Sequence, residues 1–432
     1  MGLTPDQVKT IRSTAPVLQQ HGNAITSSFY DTLLNEHPSL NNVFNQANQR
    51  NQHQAQALAG ALYAYASHID DLGALTPAVE KICQKHASLY IQPEQYDVVG
   101  EYLLRAMGDV LGKALTPEIL EAWGAAYWQL AHLMIKREED ILAQDEGWKD
   151  WRAFVIAEKI EESKEITSFY LKPVDGEPLP RFLPGQYISV MMDVPSFGYM
   201  QSRQYSLSEA PREDYYRVSI KKEAGLDHGK EGAEAHPGFI SNVMHGDKKV
   251  GDTLKVSHPA GEFFLDPDKH TKGPVVLISA GVGVTPMISI LDTLVARDSE
   301  QRISFIHGAR TTSLQAFRSH IKDTVSQHSN VTSAIFIKSP DTATDVEGLD
   351  YKYASRVSLE HLDPEKDLCL SDEHTTYFVC GPETFMADIQ HALMKRGVQE
   401  ERIRMEVFGT GAILGLPEAG EQEEGMKVNG KL

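Results

Sequence analysis

Cysteine is scarce in this chain: three residues, Cys83, Cys369 and Cys380, among 432. An odd and scattered set argues against a disulfide framework. Cys83 and His86 stand three apart in "EKICQKHASLY" and would make half a zinc site, but no second half lies near them in sequence, so zinc is not expected. No window approaches the length of a membrane span, and "MGLTPDQVKT" lacks the apolar core of a secretory signal. The expectation is a cytoplasmic, monomeric protein with no stable membrane association. Positive charge is in deficit, 41 Lys and Arg against 60 Asp and Glu for a net charge of -19. Nucleic acid as a partner is disfavoured, because phosphate binding needs a cationic surplus. Any anionic cofactor must be held by local sites.

At this length two or three domains are expected, and three textures follow one another. Residues 1–147 read as all-helical, with Thr4-Pro5, Thr76-Pro77 and Thr116-Pro117 as helix starts. Thr accepts from free first-turn amides, and Pro at the first position removes no needed donor. Thr4 and Gln7 have capping-box spacing. Ile119, Leu120, Trp123, Tyr127, Leu130 and Met134 recur at steps of three and four and predict one buried helix face. Residues 148–268 break into short runs, "ITSFYLKPV", "QYISVMMDV", "RQYSLSEAP", "YYRVSIKKE" and "DTLKVSHPAGEFFL", which predict a small antiparallel β-barrel. In residues 269–412 strands such as "PVVLISA", "RISFIHG" and "TYFVCG" alternate with helical stretches, which predicts an α/β domain on a parallel sheet. Residues 413–432 are acidic and read as a disordered, solvated tail.

"ISAGVGVTPM", residues 278–287, follows an apolar strand and opens a helix. Gly281 and Gly283 let backbone amides approach a pyrophosphate, Thr285 is placed to cap the helix, and Pro286 takes its first position. Taken alone, the run is also compatible with a tight turn that holds nothing. Pro286 stands where the ordinary dinucleotide fingerprint has its third Gly.

"RQYSLS" (203–208), "PGQY" (184–187), "CGPETFM" (380–386) and "EVFG" (406–409), read with that turn, resemble the ferredoxin-NADP reductase superfamily. The resemblance implies that Arg203 meets the pyrophosphate of FAD, and that Tyr205 and Ser206, with Gln204 between them, bind its isoalloxazine together with Tyr187. Arg forks match phosphate geometry and aromatic rings stack on flavin. Gly238 and Ser241 in "PGFISN" match the second flavin phosphate loop. Gly281, Val282, Gly283, Val284, Thr285 and Pro286 would hold NADH or NADPH. Cys380, Gly381 and Pro382 would line the cleft where nicotinamide meets flavin, and Phe408, with Gly409, matches the aromatic position that covers the flavin.

In the helical part, Val79, Ile82, Cys83, His86 and Leu89 share a face, so His86 points inward from an apolar stripe. By itself that pattern suits a hydrogen-bonded core histidine better than a ligand. "NEHPSLNNVF" (35–44), however, has a Pro-then-Phe spacing similar to the globin C helix with its haem-packing Phe44. Tyr30 lies in "SFYD" before it, and Gln54 and Leu58 lie one turn apart after it. At this point the chain, over about residues 3–411, resembles the flavohemoglobins. That resemblance implies haem b with His86 as the iron ligand, Tyr30 and Gln54 as hydrogen-bond donors to dioxygen, and Tyr96 and Glu138 as partners of the proximal imidazole. Lys85 and Glu406 would tune potential between haem and flavin. The activity implied is nitric oxide dioxygenation, in which nitric oxide and dioxygen become nitrate with electrons from NADH or NADPH. A flavin-dependent reductase of small acceptors and a haem-based sensor or carrier are the alternatives. Arg310, in "HGARTT", is compatible with binding a 2′-phosphate or with facing water.

Overall fold

The computed structural model describes residues 2–44, 52–144, 148–194, 198–223, 239–270, 272–297 and 300–408. The chain forms two compact units, one over Met1–Gly147 and one over Trp148–Gly198 and Ser202–Phe408. The tail at 413–432, Gly238 and Gly409 lie outside the described residues.

The first unit is helical: α1 (Pro5–Ser13), α2 (Ala15–Glu36), α3 (His53–Ser67), α4 (Thr76–Ala87), α5 (Pro93–Leu111) and α6 (Pro117–Leu142), with short 3-10 turns between. Its starts follow local chemistry. Thr4 and Gln7 cap α1 reciprocally, and Thr116 Oγ1 accepts from Ile119 N at 3.4 Å at the head of α6. Thr76 departs from expectation. The 3-10 turn Leu72–Leu75 runs straight into α4, so Thr76 is already helical and makes no side-chain cap. Leu120 also departs: it is 41 % exposed while its neighbour Ile119 packs against the core, so Leu120 lies off the buried face of α6.

Ile25, Phe29 and Leu33 of α2 pack with Leu62 and Tyr65 of α3, Leu103 and Met107 of α5, and Trp123 of α6. Burying side chains of this size stabilises the fold by about 1.5–3 kcal/mol each. A second cluster joins Cys83 and Ala87 of α4, Tyr96 of α5, and Ala131, Met134 and Ile141 of α6. Glycine is required where α5 meets α6, since a Cβ at Gly100 would lie 2.4 Å from the Tyr127 ring.

The second unit opens with six antiparallel strands: β1 (Arg152–Glu161), β2 (Ile166–Pro173), β3 (Tyr187–Val194), β4 (Tyr199–Ser206), β5 (Tyr216–Lys221) and β6 (Thr253–Val256), in the order β4-β3-β6-β1-β2-β5. A bridge between Leu207 and Val218 joins the two ends into a barrel. β1 was not among the expected runs. Only Phe154 and Ile156 of it are buried, so its apolar signal is thin although it sits between β6 and β2. A short helix, α7 (Phe239–Asn242), precedes β6.

Five parallel strands follow, β7 (Val275–Ala280), β8 (Ile303–Ala309), β9 (Val331–Ile337), β10 (Thr376–Cys380) and β11 (Ile403–Glu406), in the order β11-β10-β7-β8-β9. The helices α8 (Val284–Ala296), α9 (Arg318–Gln327) and α10 (Glu383–Met394) complete the layers. One face buries Leu277, Ile288, Leu291, Phe305 and Phe317, and the other buries Ile278, Ile306, Phe336, Tyr377 and Met386. The chain builds outward from β7 through β8 to β9, then returns to place β10 on the other side of β7. The β7/β10 junction is therefore the topological switch point, where ligands bind beyond the carboxyl ends of the strands.

Candidate functional site

In the helical unit, His86 occupies the last turn of α4. Its Nδ1 lies 2.9 Å from Tyr96 Oη and 2.9 Å from Glu138 Oε1, while Tyr96 Oη donates to the same Glu138 oxygen at 2.5 Å. The protons follow from this arrangement. Tyr96 gives its hydrogen to the carboxylate and an ionised carboxylate only accepts, so Nδ1 faces two acceptors and must carry the imidazole proton. Nε2 is left with a lone pair. Glu138 and Tyr96 are buried whereas the His86 ring is half exposed. Burial, and next the charge of Glu138, push the Tyr96 hydroxyl well above its usual range, so it remains a donor. A bidentate pair from Arg137 to Glu80, 2.7 Å on both branches, braces α6 against α4 one residue from Glu138. Tyr127 Oη holds the Tyr96 carbonyl at 2.5 Å. A neutral imidazole whose second nitrogen is clamped by a carboxylate is the donor set that haem iron takes.

Tyr30, on α2, is 7 % exposed; burial raises its hydroxyl pKa, and a hydrogen bond with the Gln54 side chain partly opposes the shift. The Phe44 ring meets Tyr30 edge-on, with centroids 5.5 Å apart. Gln54 and Leu58 stand one turn apart on α3, both half-buried, as is Lys85 on α4.

On the barrel, Arg203, Gln204, Tyr205 and Ser206 close β4. Burial depresses the Arg203 pKa and raises that of Tyr205. An anion beside a desolvated guanidinium would relieve that cost. Arg203 Nη1 donates to Ser202 O at 2.6 Å, and Gln204 Nε2 donates to Ser189 Oγ at 3.0 Å. Tyr187 is tied to Ala260 by backbone bonds of 2.9 Å in both directions. Gly261, at φ +119°, lies so close beneath the Tyr187 ring that a Cβ would come within 3.0 Å. Ser241 Oγ, in α7, accepts from Glu223 N at 3.2 Å. These features fit FAD: a half-buried cation for phosphate, with aromatic rings on its own and the neighbouring strand for the flavin.

At the switch point, Gly281 adopts φ +57°, and a Cβ on Gly283 would sit 2.3 Å from Cys380 O and 2.8 Å from Gly381 N. The turn leaving β7 thus lies directly on the exit of β10, and the structure brings Gly281, Val282 and Gly283 together with Cys380 and Gly381. Pro382 follows as an exposed residue at the head of α10, and Cys380 is fully buried. Thr285 does not cap the helix as expected. α8 starts at Val284 with Gly283 as its cap position, which places Thr285 inside the first turn, where its hydroxyl donates to Val282 O at 3.0 Å. Pro286 is likewise within that turn and not at its first position. Glu406 ends β11 buried, and Phe408 is 45 % exposed.

Sequence reasoning missed a polar network between the barrel and the parallel sheet. Arg217 of β5 faces Glu209 at 3.6 Å and Asp292 at 3.7 Å, and Asp292 also pairs with His320 of α9 at 2.6 Å. These residues come from separate elements, and no local pattern signals them.

Fold and site define a class: an oxidoreductase in which a histidine-bearing helical domain is joined to a barrel and a dinucleotide-type parallel sheet. Comparison with known proteins narrows it. A globin family model matches residues 27–134, and an oxidoreductase NAD-binding domain model matches residues 277–391. A flavohemoprotein of Bordetella parapertussis is 45 % identical over 416 residues, covering 95 % of this chain and all of that protein. One of Bacillus subtilis is 42 % identical over 406 residues, covering 93 % and 96 %. The crystal structure of a Malassezia yamatoensis flavohemoglobin with bound FAD and heme superposes with a TM-score of 0.80 at 28 % identity, over 95 % of this chain and all of that one. The chain belongs to the flavohemoprotein family. Among the described residues no helix is long and apolar enough to cross a membrane.

Proposed function

We propose that this protein is a nitric oxide dioxygenase that converts nitric oxide and dioxygen to nitrate, using NADH or NADPH as reductant, FAD and haem b. When bound, the flavin turns a hydride into single electrons and the haem supplies the iron at which dioxygen and nitric oxide combine. The observation that carries the reading is the buried Glu138 carboxylate on His86 Nδ1, shared with Tyr96 Oη. A carboxylate there makes Nε2 a stronger electron donor, which suits activation of a bound oxidant over its storage.

His86 holds the metal, and Tyr96 and Glu138 fix the ring's tautomer. Tyr30 keeps its proton over the working pH range because burial raises its pKa, and together with Gln54 it provides hydrogen-bond donors to charge developing on oxygen. Phe44 and Leu58 pack the haem. Arg203 and Ser241 hold the phosphates of FAD, and Tyr187, Gln204, Tyr205 and Ser206 hold its ring. The run Gly281–Pro286 holds the nicotinamide nucleotide, with Cys380, Gly381 and Pro382 keeping its reactive end in place. Lys85 and Glu406 are assigned to tuning electron transfer, and Phe408 to covering the flavin.

The test is aerobic turnover of the haem- and FAD-loaded protein with nitric oxide and reduced nicotinamide nucleotide, following both gases and nitrate. Stoichiometric nitrate is expected. His86→Ala should end nitrate formation yet spare reduction of a soluble dye through the flavin. Dye reduction without any nitrate from the intact protein would instead identify a reductase of small acceptors.

A further inference from the structure

The face of β5 that carries Arg217 also carries Ser219, two residues on. There three serines and a carboxylate touch in a row. Ser219 stands opposite Ser168 of β2 in register, with their Oγ atoms 2.7 Å apart. Ser208, just beyond β4, reaches Ser219 Oγ at 2.7 Å, and Ser168 Oγ donates to Glu162 Oε1 at 2.7 Å. Ser168 and Ser208 are 0 % exposed and Ser219 4 %, whereas Glu162 is half-buried, so solvent meets the row only at its carboxylate end.

The hydrogens can be assigned. An ionised carboxylate only accepts, so the one hydrogen of Ser168 is committed to Glu162, and the Ser168–Ser219 contact takes its hydrogen from Ser219. Ser219 then has none left, and Ser208 donates to it, with the Arg217 carbonyl at 3.2 Å as a weaker neighbour. Every hydrogen points toward Glu162. The other end lies at the strand assigned to the flavin: the antiparallel bridge between Leu207 and Val218 sets Ser206 opposite Ser219 on the same face. A hydroxyl oxygen accepts twice, so Ser219, with one lone pair given to Ser208, has another for Ser206.

We propose that Ser206, Ser219, Ser168 and Glu162 form a proton relay from the flavin site to solvent, with Ser208 holding Ser219 in orientation. The inference rests on the flavin-site reading of Ser206. A hydride is two electrons and one proton, and ferric haem takes electrons alone. Each nicotinamide nucleotide oxidised by two ferric haems therefore leaves one proton at the flavin. In the relay each hydroxyl passes its hydrogen to the next as it receives one; Ser206 is replenished from the flavin, and Glu162 releases its proton to water.

The test uses the full-length, haem- and FAD-loaded ferric protein without oxygen, mixed with reduced nicotinamide nucleotide in weak buffer containing a pH-indicator dye. Haem reduction and proton release are then read separately. In the native protein the proton should appear together with reduced haem. Glu162→Gln keeps an acceptor for Ser168 but carries no proton away, and Ser168→Ala cuts the row. Each should slow proton release about tenfold or more and raise its solvent deuterium isotope effect. Added formate should restore Glu162→Gln, whose break is at the solvent end, but not Ser168→Ala. Proton release at the native rate in Glu162→Gln, or slow release that formate leaves unchanged in a variant with native circular dichroism, overturns the relay. A native protein whose flavin stays oxidised after mixing would overturn the flavin-site reading instead, a separate result.

Discussion

Glu138→Gln isolates the electrostatic part of the His86 clamp. The side chain keeps its shape and one oxygen, so Tyr96 Oη and His86 Nδ1, at 2.5 Å and 2.9 Å in the native protein, still have an acceptor. What is lost is the charge. A hydrogen bond to an ionised group contributes about 1.5–3 kcal/mol and a neutral one about 0.5–1.5, so each of the two bonds weakens by about 1–1.5 kcal/mol. The imidazole bond bears on the metal: a more electron-rich Nε2 favours ferric over ferrous iron. Since 59 mV corresponds to a tenfold change in a one-electron equilibrium, a loss of about 1–1.5 kcal/mol raises the haem midpoint potential by about 40–65 mV. Spectroelectrochemical titration of the loaded protein measures this. Tyr96→Phe, which leaves the carboxylate charged, should shift the potential less. A Glu138→Gln protein with full haem content and an unmoved potential would refute the argument that the carboxylate governs the imidazole.

Four further outcomes are expected. Tyr30→Phe removes one donor, and oxygen should leave the reduced protein several-fold faster, as the loss of about 1 kcal/mol predicts; an unchanged dissociation rate counts against a role at the ligand. Gly283→Ala drives a Cβ onto the Cys380 carbonyl, a 2.3 Å approach to backbone, so nucleotide-dependent flavin reduction should collapse while the haem spectrum persists. Tyr30, Tyr96 and Tyr127 all have hydroxyls raised by burial above the ordinary value of 10.0. Their stabilisation is whole below that pH and is lost as pH rises beyond it, by up to about 1.4 kcal/mol per unit for each, because the unfolded chain ionises first; urea unfolding of the helical unit should become steeply pH-dependent there, less so in Tyr127→Phe. His307, fully buried with Nδ1 2.9 Å from Ser279 Oγ, has its pKa lowered by desolvation from 6.5 to about 4. Its contribution is complete above pH 6.5 and disappears as pH falls toward 4, so the second unit should lose about 2–3 kcal/mol over that range, and His307→Leu should flatten the loss.

Several parts of this architecture are encoded locally in the sequence. Thr4 with Gln7, and Thr116, act within one helical turn, and the Gly281–Gly283 turn needs only its own residues to bend. Where neighbours intervened, local reading failed. A 3-10 turn absorbed Thr76 into α4, Thr285 turned its hydroxyl back to Val282, Leu120 stayed exposed, and β1 hid behind two inward residues, Phe154 and Ile156. Tyr96 and Glu138 had no local signal at all and entered only through resemblance.

The amino-acid sequence determined most element types, the helix starts at Thr4 and Thr116 and the presence of one histidine on an apolar face, because hydrogen bonds and apolar periodicities spanning three or four residues are written in adjacent letters. Tertiary structure alone decided that this histidine would be clamped by residues 10 and 52 positions away, that Gly283 would lie against Cys380, and that Glu165 of the barrel would reach Arg310. Each of those contacts exists only once helices and sheets have packed, since chain separation carries no information about distance until the core has closed.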